Sequence, residues 1–307
     1  MSTRKEDLPG YDVIIIGGGP AGLSAALILG RCRRRVLVCD SGQYRNDAAH
    51  AMHGFLSRDG IAPSELRRIG REQLQPYGVE IREVAVADVR REAKRFEVTL
   101  EGGERLLCRK LLLATGLVDR LPELPGLLAM YGKSVHHCPY CEGWESRDQP
   151  IGVYGQGCTG VALALNMKTW SDDIILFTDG PASLPRGEAQ RLARHGVGVR
   201  EERIARLEGR DGMLERVVLE DGSAVERRAL FVKTRLEQRS DLARKLRCKV
   251  TEEHGVETAD RHEETTCEGV FVAGDASRDV LLAVMAAAEG ADAAFGINCA
   301  LQEEDLA

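Results

Sequence analysis

Near its N-terminus, over residues 11–40, the chain reads YDVIIIGGGPAGLSAALILGRCRRRVLVCD. An apolar strand, a glycine turn, a helix and a second strand follow one another here, which is the βαβ pattern. Gly17, Gly19 and Gly22 have the GxGxxG spacing, in which glycines allow a tight turn, close approach of the backbone to a pyrophosphate, and close helix packing. The second strand ends in Asp40, 23 residues after Gly17, where an acid can accept a hydrogen bond from a ribose hydroxyl. The stretch therefore predicts a dinucleotide site with the phosphates at the helix N-terminus.

The same pattern occurs again over residues 150–180, with a second GxGxxG turn at residues 155–160 and a strand that ends near Asp179. Residues 109–126 add a strand, a Thr-Gly turn and a proline-rich crossing. Residues 268–301 add a strand, a Gly-Asp pair and a long helix of small residues. Two such repeats predict an α/β protein with two Rossmann-like nucleotide-binding domains.

The composition limits the classes of binding partner that we expect. The 307 residues suffice for about two domains, and a mixed-sign 29% of charged residues with a net charge of -6 gives no reason to expect nucleic acid or an anionic membrane as partner. No apolar run approaches the ~18 residues of a membrane span, and the residues before Tyr11 lack an apolar stretch, so we expect a cytoplasmic protein. Nine cysteines without a framework spacing argue against a secreted disulfide scaffold.

One cysteine pair stands out, within HHCPYCEGWE at residues 136–145. Cys138 and Cys141 form a CxxC, which can be a structural staple, half of a zinc site or a redox couple. A zinc site usually takes its ligands from two separated knuckles, and the sequence has no second CxxC, so we expect no metal. The thiolate is the reactive form of cysteine, and a CxxC turn can lower the pKa of one thiol.

The order of GGGPAG, ATG, CxxC, a second glycine turn, GVFVAGD and an alanine-rich helix resembles the thioredoxin-reductase family of flavoproteins over nearly the whole chain. The resemblance implies a homodimer and an FAD-binding domain that is discontinuous in the sequence, over residues 1–127 and 262–307. It places an NAD(P)-binding-like domain, with the redox CxxC, between them at residues 128–261.

The resemblance also implies where FAD binds. Arg45, Asn46 and His53, within residues 43–60, would surround the isoalloxazine, although a solvated polar loop is the alternative for this segment. Residues from Ala276 onward would begin a helix that caps the flavin. The implied FAD-binding positions are Gly17, Gly19, Pro20, Ala21, Gly22, Asp40, Ser41, Arg45, Asn46, His53, Thr115, Gly116, Gly274 and Asp275.

In that family the second cysteine, here Cys141, exchanges electrons with the flavin, and the first, here Cys138, meets the substrate sulfur. The residue after the pair is usually an acid that transfers a proton, which makes Glu142 the first candidate for that role. His136 and His137 compete for it, because histidine has a pKa near neutrality. One surface histidine and one packing histidine is the alternative for these two residues.

The residues at the positions that bind the nicotinamide nucleotide in that family differ here from the family pattern. In NADPH-using members the strand after the second glycine turn ends in a His-Arg-Arg cluster that pairs with the 2′-phosphate, and these positions hold Thr178, Asp179 and Gly180 here. Asp179 would repel a phosphate but could hold the free ribose of NADH. The glycine-proline turn that closes over the nucleotide is replaced by ALFVKTRLEQRSD at residues 229–241. NAD(P)H is therefore a doubtful cofactor.

These losses, and the strings HGFLSRDG and CPYCxGWE, are similar to the small-molecule dithiol oxidases of the gliotoxin, holomycin and romidepsin kind. That branch implies antibiotic biosynthesis, in which Cys138 and Cys141 close a disulfide in a small-molecule dithiol, with FAD, O2 as electron acceptor and H2O2 as product. Glu142 departs from the histidine that often follows the CxxC there. The alternatives are a reductase driven by NAD(P)H or ferredoxin that acts on a thioredoxin-like protein, and a flavin-bound redox sensor.

Overall fold

A computed structural model of the chain describes residues 10–184, 186–251, 255–259, 262–277 and 280–307. The chain forms two compact units. Unit 1 consists of Met1–Asp47, Phe55–Val118 and Glu237–Ala307, and unit 2 consists of Ala48–Gly54 and Asp119–Leu236. Unit 1 is discontinuous in the sequence, because segments of unit 2 interrupt it twice.

The regular elements alternate along the chain. The helices are α1 (Pro20–Arg31), α2 (Pro63–Leu74), α3 (Leu127–Met130), α4 (Pro139–Glu142), α5 (Gly157–Met167), α6 (Glu188–Arg194), α7 (Leu242–Lys245) and α8 (Ala283–Leu306). The strands are β1 (Gly10–Ile16), β2 (Val36–Cys39), β3 (Glu80–Arg82), β4 (Val86–Glu92), β5 (Arg95–Leu100), β6 (Arg105–Leu113), β7 (Leu117–Arg120), β8 (Val135–His136), β9 (Ile151–Tyr154), β10 (Ile174–Phe177), β11 (Gly198–Arg200), β12 (Ile204–Arg210), β13 (Met213–Leu219), β14 (Ala224–Glu226), β15 (Ala229–Val232), β16 (Arg235–Gln238), β17 (Val250–Thr251), β18 (Gly255–Val256) and β19 (Val270–Val272). Within the described ranges, no helix combines the length and apolarity needed to cross a membrane.

The main sheet of unit 1 has the strand order β3-β2-β1-β6-β5-β4, and β19 pairs with the C-terminal half of β6. Strands β1, β2, β3, β6 and β19 are parallel to one another. Strand β5 is antiparallel to both of its neighbours, β4 and β6. Alternate residues of β1 face opposite sides: Val13 and Ile15 pack in the cluster that contains α1 and α8, and Ile14 and Ile16 pack in the other cluster. Burial on both faces explains why β1 is a continuous apolar run.

Unit 2 has a sheet of strand order β11-β10-β9-β15-β8, in which neighbouring strands are parallel. Helix α5 connects β9 to β10, as the second glycine motif predicts, and packs against both strands. An antiparallel sheet, β12-β13-β14, belongs to the same unit. The predicted α/β fold with two Rossmann-like units is confirmed.

The junctions between the units differ from the domain boundaries that the resemblance implied. They fall at residues 118/119 and 236/237 instead of 127/128 and 261/262. Leu242, Ala243, Cys248 and Val256, which the implied boundaries put in the inserted domain, are buried in the core of unit 1. Residues 1–9, 185, 252–254, 260–261 and 278–279 of the predicted domains lie outside the described residues.

The C-terminal helix begins later than we expected. Residues Asp275–Ser277 form one 3-10 turn, and α8 begins at Ala283 instead of near Ala276. The cause is local, since the Ser277 N–H closes a tight turn onto the Gly274 carbonyl and Leu282 has extended backbone before the helix. The backbone N–H groups at the start of α8 are therefore those of Ala283 and the residues after it, not those of Ala276 onward.

Candidate functional site

The parallel strands of unit 1 bring several of the predicted FAD-binding residues to one edge of its sheet. Strands β1, β2, β6 and β19 run in the same direction, so their carboxyl ends meet there. Ligands of open α/β sheets bind at this edge. The predicted residues that directly follow these strands are Gly17, Asp40, Ser41, Thr115, Gly116, Gly274 and Asp275.

The first glycine turn has the geometry of a phosphate site. Gly17 has a φ of +117°, and a Cβ there would come within 2.1 Å of the Ala114 carbonyl oxygen. A Cβ on Gly22 would come within 1.9 Å of the Gly17 carbonyl oxygen, so the helix can pack closely only with glycine. At Gly19, in contrast, no described atom lies within 4 Å of an added Cβ, and no described side chain caps the start of α1 at Pro20. Open space beside uncapped backbone N–H groups fits the pyrophosphate of a dinucleotide.

Asp40 lies over this turn. Its side chain is 2% exposed, and a Cβ on Gly18 would come within 2.1 Å of its Oδ2 atom. Oδ2 accepts hydrogen bonds from the Tyr44 hydroxyl and from the Arg71 guanidinium, the latter at 2.6 Å. Oδ1 accepts the Gly42 N–H at 3.1 Å. Tyr44 and Arg71 fix the carboxylate in place, and sequence reasoning missed both because neither belongs to the glycine motif.

The residues predicted to surround the isoalloxazine divide between the two units. Arg45 lies in unit 1, and its Nη1 atom is 3.1 Å from Oδ2 of Asp275. Asn46 is half-buried in the same unit. His53 belongs to unit 2, where its Nε2 atom is 3.5 Å from Oε1 of Glu145. The structure thus joins Arg45 to the Gly-Asp pair and places His53 near the residues that follow the CxxC.

The CxxC lies at the carboxyl edge of the second sheet. It directly follows β8, which is parallel to β15 and thus to β9 and β10. Cys138 and Cys141 form a disulfide with a Cα–Cα distance of 5.3 Å. Pro139 begins the short helix α4, as proline can at a first helical position. A Cβ on Gly143 would come within 2.6 Å of the Trp170 ring, so glycine lets the end of this helix pack on that ring.

A cluster of three ionisable side chains lies beside the disulfide, namely Glu142, Glu145 and His53. Burial and then the negative charge of Glu145 raise the pKa of Glu142 to about 7, while His53 acts in the opposite direction. A carboxyl with this pKa can take or give a proton near neutral pH. Sequence reasoning missed Glu145, which lies three residues after Glu142 and beyond the end of α4.

The two histidines before the CxxC differ in environment. His136 is 6% exposed and packs beside the Phe231 ring. Burial, with a smaller effect of His137, lowers the pKa of His136 to about 4, so the ring is neutral at pH 7 and acts in packing. His137 is half-buried, and its Nδ1 atom is 2.7 Å from the Tyr131 hydroxyl. Glu142 is therefore the better-placed group for proton transfer near pH 7.

Two side chains of the second glycine motif bond within their own unit. Gln156 occupies the position that corresponds to Gly18 and donates from Nε2 to the Thr178 carbonyl at 2.8 Å. Asp179 accepts the Ile204 N–H at 2.8 Å on Oδ1 and the Tyr154 hydroxyl at 3.2 Å on Oδ2. Asp179 therefore bonds to β9 and β12, and a contact of Asp179 with the ribose of NADH stays a prediction.

The described part of the chain contains no cluster of three or more His, Cys, Asp or Glu side chains that could hold a metal ion. Cys138 and Cys141 are also paired with each other, so neither thiolate is available as a ligand in this state. The arrangement beside the disulfide is suited to thiol exchange and proton transfer.

Comparison with known proteins identifies the family to which the chain belongs. The model of the pyridine nucleotide-disulphide oxidoreductases matches residues 11–290. Thioredoxin reductase tcpT of Claviceps purpurea is 35% identical and is covered, like this chain, over 86% of its length. Thioredoxin reductase aclD of Aspergillus oryzae is 32% identical, with 97% of this chain and 99% of that protein covered. The crystal structure of HlmI superposes with a TM-score of 0.93 at 40% identity and covers 99% of this chain and 96% of that chain.

Proposed function

Because the chain belongs to the pyridine nucleotide-disulphide oxidoreductase family and is an FAD-dependent disulfide oxidoreductase, we propose that it is a dithiol oxidase. It closes an intramolecular disulfide in a small-molecule dithiol, with O2 as electron acceptor and H2O2 as product. One observation carries this proposal: the CxxC disulfide, followed directly by a carboxyl with a pKa near 7, lies on the same sheet edge as a glycine turn in which Gln156 bonds to the Thr178 carbonyl.

The residues of unit 1 fit FAD. Gly17, Gly19 and Gly22 would hold the pyrophosphate, Asp40 the adenosine ribose, and Asp275 the ribitol side. When bound, FAD supplies the two-electron chemistry that links the reduced cysteine pair to O2. Arg45, whose guanidinium is 3.1 Å from the Asp275 carboxylate, compensates the negative charge at that position.

The cysteine pair carries the exchange chemistry. A substrate thiolate attacks Sγ of Cys138, the Cys138–Cys141 bond breaks, and Cys141 leaves as a thiolate. The second substrate sulfur then attacks the first, the mixed disulfide breaks, and Cys138 leaves as the second thiolate. The substrate loses two electrons and two protons, and the cysteine pair gains the two electrons.

Glu142 is suited to accept a proton during this exchange. Its pKa of about 7 makes its carboxylate a better base than an ordinary glutamate while leaving much of it ionised at pH 7. Once the cysteines have been reoxidised, the carboxyl can release the proton to solvent. Glu145, by its negative charge, keeps the pKa of Glu142 high and acts as a positioning residue.

Two features of unit 2 favour a small dithiol as the electron donor. Gln156 and Asp179 bond within their own unit, so these two side chains already have partners at the position where a nicotinamide nucleotide would be recognised. Beside the disulfide, Tyr140 and Trp144 are 70% and 64% exposed. Their rings offer an apolar contact surface to a small molecule.

The second candidate is a thioredoxin-reductase-like enzyme, in which NAD(P)H or ferredoxin donates electrons and a thioredoxin-like protein receives them. The names of the relatives tcpT and aclD as thioredoxin reductases favour it. It needs a nucleotide or protein donor to reduce the flavin, which the oxidase does not.

The test is flavin absorbance of the purified holoprotein without oxygen, in separate cuvettes with dithiothreitol, NADH and NADPH. The oxidase predicts rapid bleaching by dithiothreitol alone and recovery of the yellow colour on admission of air. Faster bleaching by NADH or NADPH than by dithiothreitol would overturn the proposal and support the reductase.

A further inference from the structure

A second pair of thiols lies in unit 1, away from the CxxC in the sequence. Cys248 follows α7, and Cys267 lies in the turn before β19. Cys248 is 6% exposed in the core, and Cys267 is partly exposed and packs against the same cluster. The two thiols are within hydrogen-bonding reach of each other.

Thr265 holds both cysteines in place. Its side chain is buried, and its Oγ1 atom lies 3.5 Å from Sγ of Cys248. The same oxygen accepts the Cys267 N–H at 3.1 Å. The Cys267 thiol donates to the Leu246 carbonyl at 3.0 Å, which places its sulfur on the segment that leads into Cys248. Thr265 thus contacts both cysteines, which come from two chain segments.

We propose that Cys248 and Cys267 form a second redox-active dithiol, which closes to a disulfide by exchange with a small disulfide-containing molecule. This inference does not rest on the proposed oxidase activity, because it concerns other residues and a different reaction. Disulfide formation requires cysteines that are already neighbours, and one of this pair is accessible to solvent.

The exposed member reacts first. The Cys267 thiolate attacks one sulfur of the small disulfide, forms a mixed disulfide and releases one thiol. The Cys248 thiolate then attacks Sγ of Cys267, the mixed disulfide breaks, and a second thiol is released. The two cysteines are oxidised and one disulfide is reduced, so electrons and protons balance. Burial is the main cause that raises the pKa of Cys248 to about 11, so we expect the second step to be the slow one.

Closure would connect the segment after α7 to the turn before β19. The closed loop spans residues 248–267, and β19 ends beside the Gly274-Asp275 pair. A crosslink of this length restricts the unfolded chain, so we expect the oxidised form to melt about 5 °C higher than the reduced form.

The test uses the full chain with Cys138→Ser and Cys141→Ser, so that the CxxC cannot contribute, incubated with oxidised glutathione. Thiols are then alkylated and mapped by peptide mass spectrometry. We expect Cys248 and Cys267 to lose their thiols together and to appear as one crosslinked peptide. Exposed Cys32 and Cys158 report that the reagent is active, and they should carry glutathione.

Two results would overturn the proposal. One is that Cys248 and Cys267 remain alkylatable when Cys32 and Cys158 are modified. The other is that Cys267 keeps glutathione although Cys248 is present and reduced. Buried Cys39 and Cys108, both 1% exposed, are the matched control and should stay reduced. A Cys267→Ser variant, changed only at the partly exposed position, should lose the difference in melting temperature between oxidised and reduced samples.

Discussion

The two glycine turns of the chain share one spacing but have different surroundings. In the first, Gly18 has no side chain, and the Asp40 carboxylate lies over the turn. In the second, Gln156 takes the corresponding position and bonds within its own unit. Asp179, at the end of the following strand, bonds to a backbone N–H and a tyrosine hydroxyl on neighbouring strands. Asp40 bonds in a similar way, to the Gly42 N–H and the Tyr44 hydroxyl, and also to Arg71. Both turns have open space at the middle glycine, Gly19 or Gly157, so they differ mainly in the residue before it, which is Gly18 or Gln156.

This difference shows what GxGxxG specifies. In both turns the third glycine packs against the first, since a Cβ on Gly22 or Gly160 would come within 1.9 Å or 2.6 Å of the backbone of that first glycine. The glycines thus fix the turn between strand and helix. Whether a nucleotide can approach depends on the residue between the glycines and on the direction of the acid, so fold alone does not establish a ligand.

The largest expected effect is a loss of turnover without a loss of bound flavin. Cys138→Ser should lower dithiol-dependent O2 consumption by about 1,000-fold or more, because serine cannot form the mixed disulfide. Flavin content should stay unchanged, since Cys138 belongs to unit 2 and we place FAD binding in unit 1. An oxygen electrode and flavin absorbance measure the two quantities. The control is Cys158→Ser, an exposed thiol in the second glycine turn, which should keep turnover; normal turnover in Cys138→Ser would remove the proposed entry point.

The next effect concerns the carboxyl beside the disulfide. Glu142→Gln should slow turnover by about 100-fold at pH 8. The wild-type rate should rise as pH increases through about 7, where Glu142 loses its proton, and the glutamine variant should lack this step. A pH–rate profile under saturating dithiol measures both.

Glu145→Gln sharpens this prediction. Removing its negative charge should lower the pKa of Glu142, so the step in the profile should move to lower pH with the maximal rate kept. The raised pKa also means that the Glu142 carboxyl binds its proton more tightly in the folded state than in the unfolded chain. The contribution of Glu142 to the free energy of unfolding therefore falls as pH rises from about 4.5 to 7. An unchanged profile in both variants would assign the proton to another group.

The open first turn gives the third effect. Gly19→Val should reduce bound flavin by about tenfold or more, because its side chain would fill the space for the pyrophosphate. The backbone of Gly19, with φ −78° and ψ −174°, accepts valine, so the variant should fold. The matched control is Gly157→Val, which has open space but a φ of +54° and should lose about 1 kcal/mol of stability while keeping its flavin. Full yellow colour in Gly19→Val would contradict the assignment of FAD to the first turn.

Much of the fold could be predicted from sequence because its signals are local. The strand before Gly17, the helix after it and Asp40 lie within one short segment, and the resemblance to thioredoxin reductases is confirmed by the matches to known relatives. The neighbours of Asp40 could not be predicted in this way, since Arg71 comes from a helix 31 residues away. The contact of His53 with Glu145 and the packing of Leu242, Cys248 and Val256 in unit 1 are also long-range. Periodicity and spacing carry no signal for such pairings.

The smallest expected effect concerns Asp179, the acid that follows the second turn. Asp179→Ala should leave flavin content and dithiol turnover within about twofold of wild type, because this carboxylate bonds only within unit 2 among the described residues. It should lower stability by about 1 kcal/mol, since the Ile204 N–H loses its acceptor, and the melting temperature by about 2–4 °C. The matched change in the first turn, Asp40→Ala, should instead lower flavin content by about tenfold, because it removes the ribose acceptor and leaves the Arg71 charge without this partner. If Asp179→Ala abolished a reduction of the flavin by NADH, the second turn would be a working nucleotide site and the two turns would be equivalent in function.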